Sequence, residues 1–509
     1  MRRILAIFMA LLMLVCLTAC SKSGSDELEN NGGGQDAVVY SVNLAANLAD
    51  TFNPYTAKTT LNRNLCTLLF DPLVQINSAF ERVNVLADTV QLSGLNLVVT
   101  LKSATFSDGS RLTADDVVYS FNLAKSSSER YKSILSNLIT AEIRDASTVI
   151  FKLGKADPKA ADLLTFPIIK IGTDMLKNED NVYLTPVGCG RYTLNSTGNG
   201  LIANQTFHGG KVNISGINLI NAPDEESLAH SVEIGAIDYY YTDLSDCNII
   251  RMSGERVNVP LNNLVYVGLN LKSDVLNNDN MRHAISAALD RSVIREQGYY
   301  NNLIAATGIY MPTLKDVSSV QTIENKANSK IAIENLAKIG YNRKENGYFL
   351  NSQGNPVSLT LLVNEENTFR LGAANLIAAQ LGAVGLKVKV NAVSYARYTE
   401  LLAAGNFDMY LAEVNVPYNM DVSQLVVAGG SAAYGIPKGE ETGVLEGLIG
   451  SYLSGTATLQ DIAVTVNSEL PIIPIGYRTG VLFCSNKIGV NSEASASDIF
   501  FGFEKLNVK

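Results

Sequence analysis

The sequence is poor in the residues that build metal sites and hydrolytic centres. It has only three histidines, without an HExxH or HxH pair, so a histidine-based metal site is not expected. None of the six cysteines forms a CxxC pair, which argues against a zinc knuckle. No GxSxG segment occurs, and no nucleophile has a plausible base beside it. We therefore predict a protein that is not an enzyme and that has no catalytic residues, metal or cofactor. The histidines are His208, His230 and His283.

Nucleotides and nucleic acids are also poor candidates as partners. The segment VAGGSAAYG lacks the Lys-Ser/Thr that completes a phosphate-binding P-loop. The net charge of −9 argues against nucleic acid, which usually requires a basic face. Beyond the first twenty residues, one or two disulfides would suit an exported protein, but the spacing does not decide any pairing. The cysteines concerned are Cys66, Cys189, Cys247 and Cys484.

The first residues predict export. Two arginines precede an uninterrupted apolar run that stops at Cys20 and is slightly short for a membrane span of roughly 20 residues. The sequence Leu-Thr-Ala-Cys resembles a lipobox, so we expect a signal peptide at 1–19 and lipidation of Cys20 on the outer face of a bacterial cytoplasmic membrane. An ordinary signal peptide with an incidental cysteine is the alternative. Residues 20–36 are rich in Ser, Gly, Asn and Asp, which is typical of a flexible tether.

An acidic stretch, FSDGSRLTADDVVYSF at 106–121, raises the question of whether its aspartates are functional. The alternation before it predicts a strand at 95–101, and its Asp-Gly pair predicts a turn. Thr113 can cap a following helix that carries Asp115 and Asp116 in its first turn, where carboxylates favour the helix dipole. We therefore interpret the stretch as a structural corner and not as a catalytic or metal site.

The second half of the chain alternates between strand and helix patterns with short links. Such a rhythm is typical of a parallel α/β sheet, in which ligands bind beyond the carboxyl ends of the strands. The residues NVPYNMD, which follow the third strand, are therefore in a candidate binding position. The predicted strands are 357–363, 386–392 and 407–414, and the predicted helices are 369–385 and 395–405.

Several segments, in this order, resemble one family. FSDGSRLTADDVVYS is similar to the family pattern F-x-D-G-x-x-L-T-A-x-D-V-V-x-S, and PVGCGRYTL resembles its P-V-G-T-G-P-Y turn. On these residues the chain is similar to the extracellular solute-binding proteins, family five, of ABC importers. The other segments are LFDPLVQIN (69–77), VLADTV (85–90), MRHAISAALDRSVI (281–294), AIENLAKIGY (332–341) and LPIIPIGYR (470–478).

The resemblance implies an α/β, two-lobe fold of the periplasmic-binding-protein type (class II, cluster C), with an extra lobe inserted in the first domain. Lobe I would be discontinuous, because the chain crosses between the lobes. The expected boundaries are 37–66, 196–262 and 470–509 for lobe I, 67–195 for the inserted accessory lobe, and 263–469 for lobe II.

The resemblance also implies a function. The protein would be a lipid-anchored, monomeric binding subunit that captures short peptides by hinge closure and delivers them to ABC permease and ATPase subunits. Asp421 stands where peptide-binding members place the partner of the peptide ammonium, although an Asp there also suits a helix cap. Arg370 stands where dipeptide-type members hold the carboxylate, although it also suits a solvent-facing position. Further candidate ligand residues are Asn53, Asn415, Tyr418 and Tyr434.

Some features depart from the family pattern. The chain has no tryptophan, and the segment containing Asp421 lacks the W and D-P pair common in the family. Cys189 and Arg191 are departures within PVGCGRYTL. The pocket is therefore not a close copy of the best-known peptide binders. The alternatives are a non-peptide solute, such as a nickel chelate, haem or an oligosaccharide, and a sensory surface lipoprotein without its own permease.

Overall fold

The computed structural model describes residues 38–127, 129–248, 252–438 and 440–509. The predicted signal peptide, Cys20 and the tether lie outside the described residues. Within the described ranges, no helix has both the length and the apolar character that are needed to cross a bilayer.

Strands and helices alternate through most of the described chain. The strands are β1 (Tyr40–Ala46), β2 (Val74–Ile76), β3 (Arg82–Asn84), β4 (Ala87–Ser93), β5 (Asn96–Leu101), β6 (Leu138–Asp145), β7 (Thr148–Leu153), β8 (Tyr192–Leu194), β9 (Gly200–Ala203), β10 (Gly216–Asn221), β11 (Tyr239–Thr242), β12 (Glu255–Leu269), β13 (Leu303–Ala305), β14 (Lys344–Glu345), β15 (Tyr348–Phe349), β16 (Ser358–Asn364), β17 (Lys387–Val393), β18 (Met409–Asn415) and β19 (Ile472–Cys484). The α-helices are α1 (Thr60–Leu69), α2 (Ala114–Ser127), α3 (Glu129–Ile134), α4 (Glu225–Glu233), α5 (Asp279–Ala288), α6 (Arg291–Val293), α7 (Ser329–Lys338), α8 (Thr368–Val384), α9 (Tyr395–Ala404), α10 (Ser423–Val426), α11 (Glu440–Leu453) and α12 (Leu459–Glu469).

One long sheet joins two α/β halves. Its strand order is β17-β16-β18-β12-β19-β11-β1-β10-β9-β8, with β13 beside β19. The first part of β12 pairs with the end of β19, which also pairs with β11, whereas the second part of β12 pairs with β18. The pairing of β12 with β19 shifts between Pro260 and Leu264, and such irregularities bend a strand locally. Strands β12 and β19 therefore run through both halves, in agreement with the expected two-lobe fold.

The predicted strand–helix alternation of the second half is confirmed. Strands β16, β17 and β18 lie in the order β17-β16-β18, with β16 parallel to both neighbours, and α8 and α9 form the connections. Helix α8 begins after Asn367, whose side chain accepts a hydrogen bond from the backbone N of Arg370. It ends at Gly385, where φ is 100°. The carboxyl end of β18 leads directly into residues 416–421.

A smaller antiparallel sheet, β4-β5-β7-β6, lies within the predicted accessory lobe. Helix α2 packs against it through Phe121, whose ring centre is 5.3 Å from that of Phe151 and 5.9 Å from that of Phe166. We call residues 67–195 the accessory region. Its boundaries, like those expected for lobes I and II, remain predictions.

The acidic stretch at 106–121 forms the predicted strand–turn–helix corner. Both the backbone N and the Oγ1 of Thr113 donate to Asp116 Oδ2, at 2.9 and 3.0 Å. The other oxygen of Asp116 accepts from Ile171 N at 3.0 Å. Asp108 accepts from Lys170 Nζ at 2.6 Å. Partial burial raises the pKa of Asp108, but its hydrogen bonds, led by the one from Lys170, outweigh burial and hold the pKa at about 2. These aspartates have structural partners.

The segment PVGCGRY packs tightly against the end of α1. A Cβ atom added to Gly188 would lie 2.1 Å from the carbonyl oxygen of Leu69, and one added to Gly190 would lie 2.5 Å from the carbonyl carbon of Leu69. Only glycine fits at either position. Arg191, which follows, is buried, and its Nη2 lies 2.7 Å from Asp498 Oδ2. This ion pair fastens the last segment of the chain to the accessory region.

The four cysteines beyond Cys20 are free thiols in the structure. Cys66, Cys189 and Cys484 are buried, and Cys247 is half-buried. Burial raises the pKa of the Cys189 thiol well above its ordinary value, which keeps that thiol protonated.

Candidate functional site

A cleft of about 1120 Å³ lies between the accessory region, the α1 segment and the residues that follow β18. Ligand pockets commonly measure roughly 300–1,000 Å³, so this space can hold a solute of several residues. Its lining comes from residues 54–75, from 130–137 and 155–167 of the accessory region, and from the loop at 414–424. Asp243 adds a carboxylate at the end of β11.

The loop after β18 is held rigidly from behind the cleft. The buried Asn262 accepts a hydrogen bond from Val416 N and donates one to Val416 O, both at 2.8 Å. Tyr310 donates its hydroxyl proton to Met420 O at 3.4 Å. Met420 has φ of 59°, a left-handed conformation that costs energy in a non-glycine residue. Such local strain persists only where neighbouring contacts determine the backbone, and here those contacts orient the next residue, Asp421.

Asp421 lines the cleft with a carboxylate that has two different environments. Its side chain is 14% exposed. Oδ1 accepts a hydrogen bond from Ser423 N at 2.9 Å, at the start of α10. Oδ2 lies 3.4 Å from the Nζ of Lys155, which comes from the accessory region. Asp421 is not itself the N-cap of α10, which is Val422, but its Oδ1 orders the backbone at the start of that helix. A role for Asp421 as the partner of a ligand ammonium stays a prediction.

The six predicted ligand residues are divided by the structure. Asp421, Asn415 and Tyr418 line the cleft together. Asn53 instead accepts a hydrogen bond from Tyr55 N at 3.0 Å, in the turn just before the lining begins. Tyr434 packs edge-on against Tyr410, with ring centres 5.9 Å apart.

Arg370 is likewise absent from the lining. It lies in the first turn of α8, and its buried Nε has no hydrogen-bond partner in the part of the chain that the structure describes. Its positive charge acts on Tyr299 and Tyr398, which lowers their pKa values against the larger rise caused by burial. A ligand role for Arg370, Asn53 or Tyr434 stays a prediction.

Two arginines that were not among the predicted ligand residues, Arg63 and Arg130, line the cleft together with Tyr131. The guanidinium carbon of Arg130 is 5.4 Å from the centre of the Tyr131 ring. Arg63 donates to Lys58 O at 2.8 Å and to Thr60 Oγ1 at 2.9 Å. Burial raises the pKa of Tyr131, and both guanidinium groups oppose that rise. Among the described residues, neither arginine has a carboxylate at ion-pair distance. They come from α1 and α3, so no local pattern could reveal their proximity.

Aromatic side chains form part of the walls. Tyr55 and Tyr131 meet edge to face, with ring centres 6.0 Å apart. Tyr418, from the loop after β18, is near enough to Arg130 for the guanidinium charge to affect it. Burial raises the pKa of Tyr418, and the charge of Arg130 lowers it.

The floor of the cleft is organised by one buried carboxylate. Asp498 is 1% exposed and accepts hydrogen bonds from Thr67 Oγ1 at 2.6 Å and from Gln75 Nε2 at 2.8 Å. Thr67 and Gln75 both line the cleft. Arg191 neutralises Asp498 from behind. The C-terminal segment therefore determines the positions of two side chains that face the ligand space.

The junction of the two halves carries its own ion pair. Arg478 Nη1 lies 2.9 Å from Glu413 Oε1, and Asn263 donates to the same oxygen at 2.7 Å. The other end of the guanidinium donates to the carbonyl oxygen of Asp243. Burial lowers the pKa of Arg478, but Glu413 outweighs burial and the pKa is raised, so Arg478 stays charged. Arg478 therefore connects β18 with the end of β11, at the place where the pairing of β12 is irregular.

Comparisons with known proteins agree with this architecture. The model of the bacterial extracellular solute-binding proteins, family 5, matches residues 82–435. The chain is also similar to the oligopeptide-binding protein AppA of Bacillus subtilis, with 25% identity over 431 residues. This alignment covers 78% of the chain and 77% of AppA.

Two solved structures share the fold. NikA from Brucella suis, in complex with Fe(III)-EDTA, aligns with a TM-score of 0.69 and 20% identity. AppA from Bacillus subtilis, in complex with a nonapeptide, aligns with a TM-score of 0.55 and 20% identity. Each alignment covers 92% of this chain and 99% of the other. At this level of identity the similarity establishes the fold.

Proposed function

Because the chain belongs to the bacterial extracellular solute-binding proteins of family 5, we propose that its cleft captures short peptides for an ABC importer. The observation that carries the proposal is a cleft that has Asp421 on one element and Arg63 with Arg130 on two others. AppA, a relative with 25% identity, is an oligopeptide-binding protein, and its solved structure holds a nonapeptide. A cleft with charges of both signs suits a zwitterionic ligand.

The two ends of a peptide would have different partners. A peptide ammonium that leaves water needs a carboxylate, and Asp421, which lines the cleft, is the candidate. A peptide carboxylate is best held by guanidinium groups, and Arg63 and Arg130 lack carboxylate partners among the described residues. Between the ends, the rings of Tyr55, Tyr131 and Tyr418 offer apolar surface that would accept varied side chains.

Capture would proceed by closure about the junction of the two halves. Strands β12 and β19 supply the connection, and the accessory region contacts the second half at the rim of the cleft. These rim contacts are Asn419 Nδ2 to Asp157 Oδ2 at 2.7 Å and Lys159 Nζ to Asp316 Oδ2 at 3.2 Å. A solute that contacts both sides favours the closed arrangement, because it adds interactions that the open one lacks.

Delivery adds partners and an anchor. We propose lipidation at Cys20, a tether over residues 20–36, and docking of a monomer to a membrane permease with its ATPase. The support is the lipobox-like sequence before Cys20 and the polar composition after it. An anchored binding protein would then work on the outer face of the cytoplasmic membrane.

A second candidate function is the capture of an acidic solute such as a metal chelate. The guanidinium groups of Arg63 and Arg130, which have no carboxylate at ion-pair distance among the described residues, favour it, because guanidinium binds carboxylates with geometric specificity. Within the described ranges, no group of three or more His, Cys, Asp or Glu side chains is placed to hold a metal ion. A metal would therefore have to arrive with its own chelator.

Ligand-dependent stabilisation separates the two candidates. A ligand that binds the folded state raises the melting temperature by mass action. Alanine peptides from the dipeptide to the pentapeptide should raise it, and the same peptides with an acetylated amine should raise it less. A response to metal–EDTA or metal–citrate complexes without a response to any peptide would favour the chelate and reject the peptide assignment.

A further inference from the structure

Lys155 stands at the rim of the cleft on a backbone that is fixed on both sides. The backbone N of Lys155 donates to Asn137 Oδ1 at 2.9 Å, and the carbonyl oxygen of Lys155 accepts from Asn137 Nδ2 at 3.1 Å. Two residues later, the buried Asp157 accepts from Asn419 Nδ2 at 2.7 Å. Asn419 belongs to the same loop as Asp421. These hydrogen bonds therefore hold the main chain of Lys155 near Asp421, the carboxylate that the Lys155 side chain contacts.

The ammonium of Lys155 approaches one oxygen of Asp421, a residue that lines the cleft. Oδ1 accepts a hydrogen bond from Ser423 N at 2.9 Å, whereas Lys155 approaches Oδ2. In the part of the chain that the structure describes, the group that meets Oδ2 is Lys155 Nζ, at 3.4 Å. A lysine ammonium and a peptide's N-terminal ammonium are the same chemical group, with three N–H donors and one positive charge. Both would compete for the same oxygen.

Lys155 and Asp421 differ in the free energy that each would lose if the ion pair separated. Lys155 has a side chain that is 57% exposed, so its ammonium can turn into water at little cost. Asp421 is only 14% exposed, so leaving its charged carboxylate without a partner costs more free energy. Exchange of one cation for another is therefore easier at this site than removal of the cation.

We propose that, where the accessory region and the second half are in contact, Lys155 and the ammonium of a ligand compete for Asp421 Oδ2, so that a ligand with an ammonium group displaces Lys155. The inference rests on the proposed function, since it takes Asp421 as the acceptor of the ligand's amine. It adds a rule of selectivity. A ligand with a free amine supplies Asp421 with a new ammonium partner in place of Lys155. A ligand with a blocked amine forms no ion pair with Asp421. Competition from Lys155 also makes the affinity for the ligand lower than it would be if Asp421 had no internal cation beside it.

The test compares Lys155→Met with Lys152→Met. Methionine keeps much of the length of the lysine stem and removes the charge. Lys152 is an exposed lysine on β7 that pairs with Glu142 at 2.8 Å, away from the cleft lining, and serves as the matched control. Dissociation constants for alanine peptides with free and acetylated amines are measured by titration calorimetry on the folded chain from Ser21. Lys155→Arg, which keeps an internal cation, is measured alongside.

The expected result is a gain of about two- to five-fold in affinity for free-amine peptides in Lys155→Met, the range for an exposed ion pair. Acetylated peptides, Lys152→Met and Lys155→Arg should stay within about two-fold of wild type. If peptides bind but Lys155→Met leaves their affinity unchanged or weaker, the inference is overturned while the proposed function stands. If no peptide binds any of these proteins, the proposed function fails and the inference fails with it.

Discussion

The ammonium of Lys155 lies 3.4 Å from a carboxylate oxygen of Asp421, and this contact joins the accessory region to the loop that follows β18. The pair stands at the rim of a cleft of about 1120 Å³ in which both signs of charge occur. Asp421 is positioned by the end of a parallel strand, as α/β sheets usually position ligand residues. Lys155 follows β7, which belongs to a different sheet. The candidate ammonium site is therefore completed only when the accessory region and the second half are in contact.

Loss of the charge on Asp421 should weaken peptide binding. Asp421→Asn keeps an oxygen for Ser423 N but removes the ion pair with a ligand amine. Hydrogen bonds to charged groups contribute roughly 1.5–3 kcal/mol, so the dissociation constant should rise about ten- to a hundred-fold. Titration calorimetry measures it, with the exposed Asp274→Asn as the control. Equal affinities for wild type and Asp421→Asn would remove Asp421 from the site.

Loss of the cleft arginines should affect the other end of the ligand. Arg63→Gln and Arg130→Gln should each weaken binding of free-acid peptides by about ten-fold, because each removes a charge-assisted hydrogen bond. Peptides with an amidated C-terminus should bind weakly to wild type, and their affinity should hardly change in Arg63→Gln or Arg130→Gln. Arg144→Gln, at an exposed arginine on β6, is the control. A variant that lowers the affinity for amidated and free-acid peptides equally would contradict the assignment.

Breaking the buried pair beneath the cleft should destabilise the protein. The side chains of Arg191 and Asp498 are 5% and 1% exposed. Arg191→Met leaves a buried carboxylate without its counter-charge, which should lower the free energy of unfolding by about 3 kcal/mol. Lys152→Met breaks an exposed pair and should change it by less than about 1 kcal/mol. Urea denaturation measures both. Similar midpoints for the two variants would show that the buried pair is not structurally important.

Asp157 should make stability depend on pH. Burial raises its pKa above the ordinary 3.8, and nearby Asp421 adds to that rise, while the hydrogen bond from Asn419 opposes it. Below pH 3.8 the group is protonated in both states, so it makes no difference to stability. As the pH rises, the unfolded chain ionises first, and wild type loses stability until the folded carboxyl has also ionised.

The variant Asp157→Asn does not ionise and still offers an oxygen to Asn419. The difference in the free energy of unfolding between Asp157→Asn and wild type should therefore increase from about pH 4 upward and then level off. Urea midpoints at a series of pH values give this difference. A difference that stays constant with pH would mean that the pKa of Asp157 is the same in both states.

Local patterns were sufficient to predict the α/β unit of the second half. Phe369, Ala373, Ile377 and Val384 recur at helical spacing, and all four are buried in α8. The general geometry of parallel sheets indicated the segment NVPYNMD after the third strand, and the choice of Asp421 within it came from resemblance to relatives. The predictions of the α/β unit and of the segment depend on short-range periodicity, which a sequence displays directly.

The rest of the cleft depends on contacts between distant segments. Arg63 and Arg130 line the same cleft from two different helices, and Asp498 supports Thr67 from more than four hundred residues away. No spacing rule connects such positions, because the fold alone brings them together. Arg370 was chosen by resemblance to relatives. In the structure Arg370 does not belong to the cleft lining, and its charge acts on the pKa values of Tyr299 and Tyr398.

Native mass spectrometry of the protein from Ser21, purified gently from cells, would detect short peptides held in this cleft. We expect a set of added masses that fit short peptides, that disappear on denaturation, and that are depleted in Asp421→Asn. A single added mass that fits no peptide, retained in Asp421→Asn, would contradict this expectation.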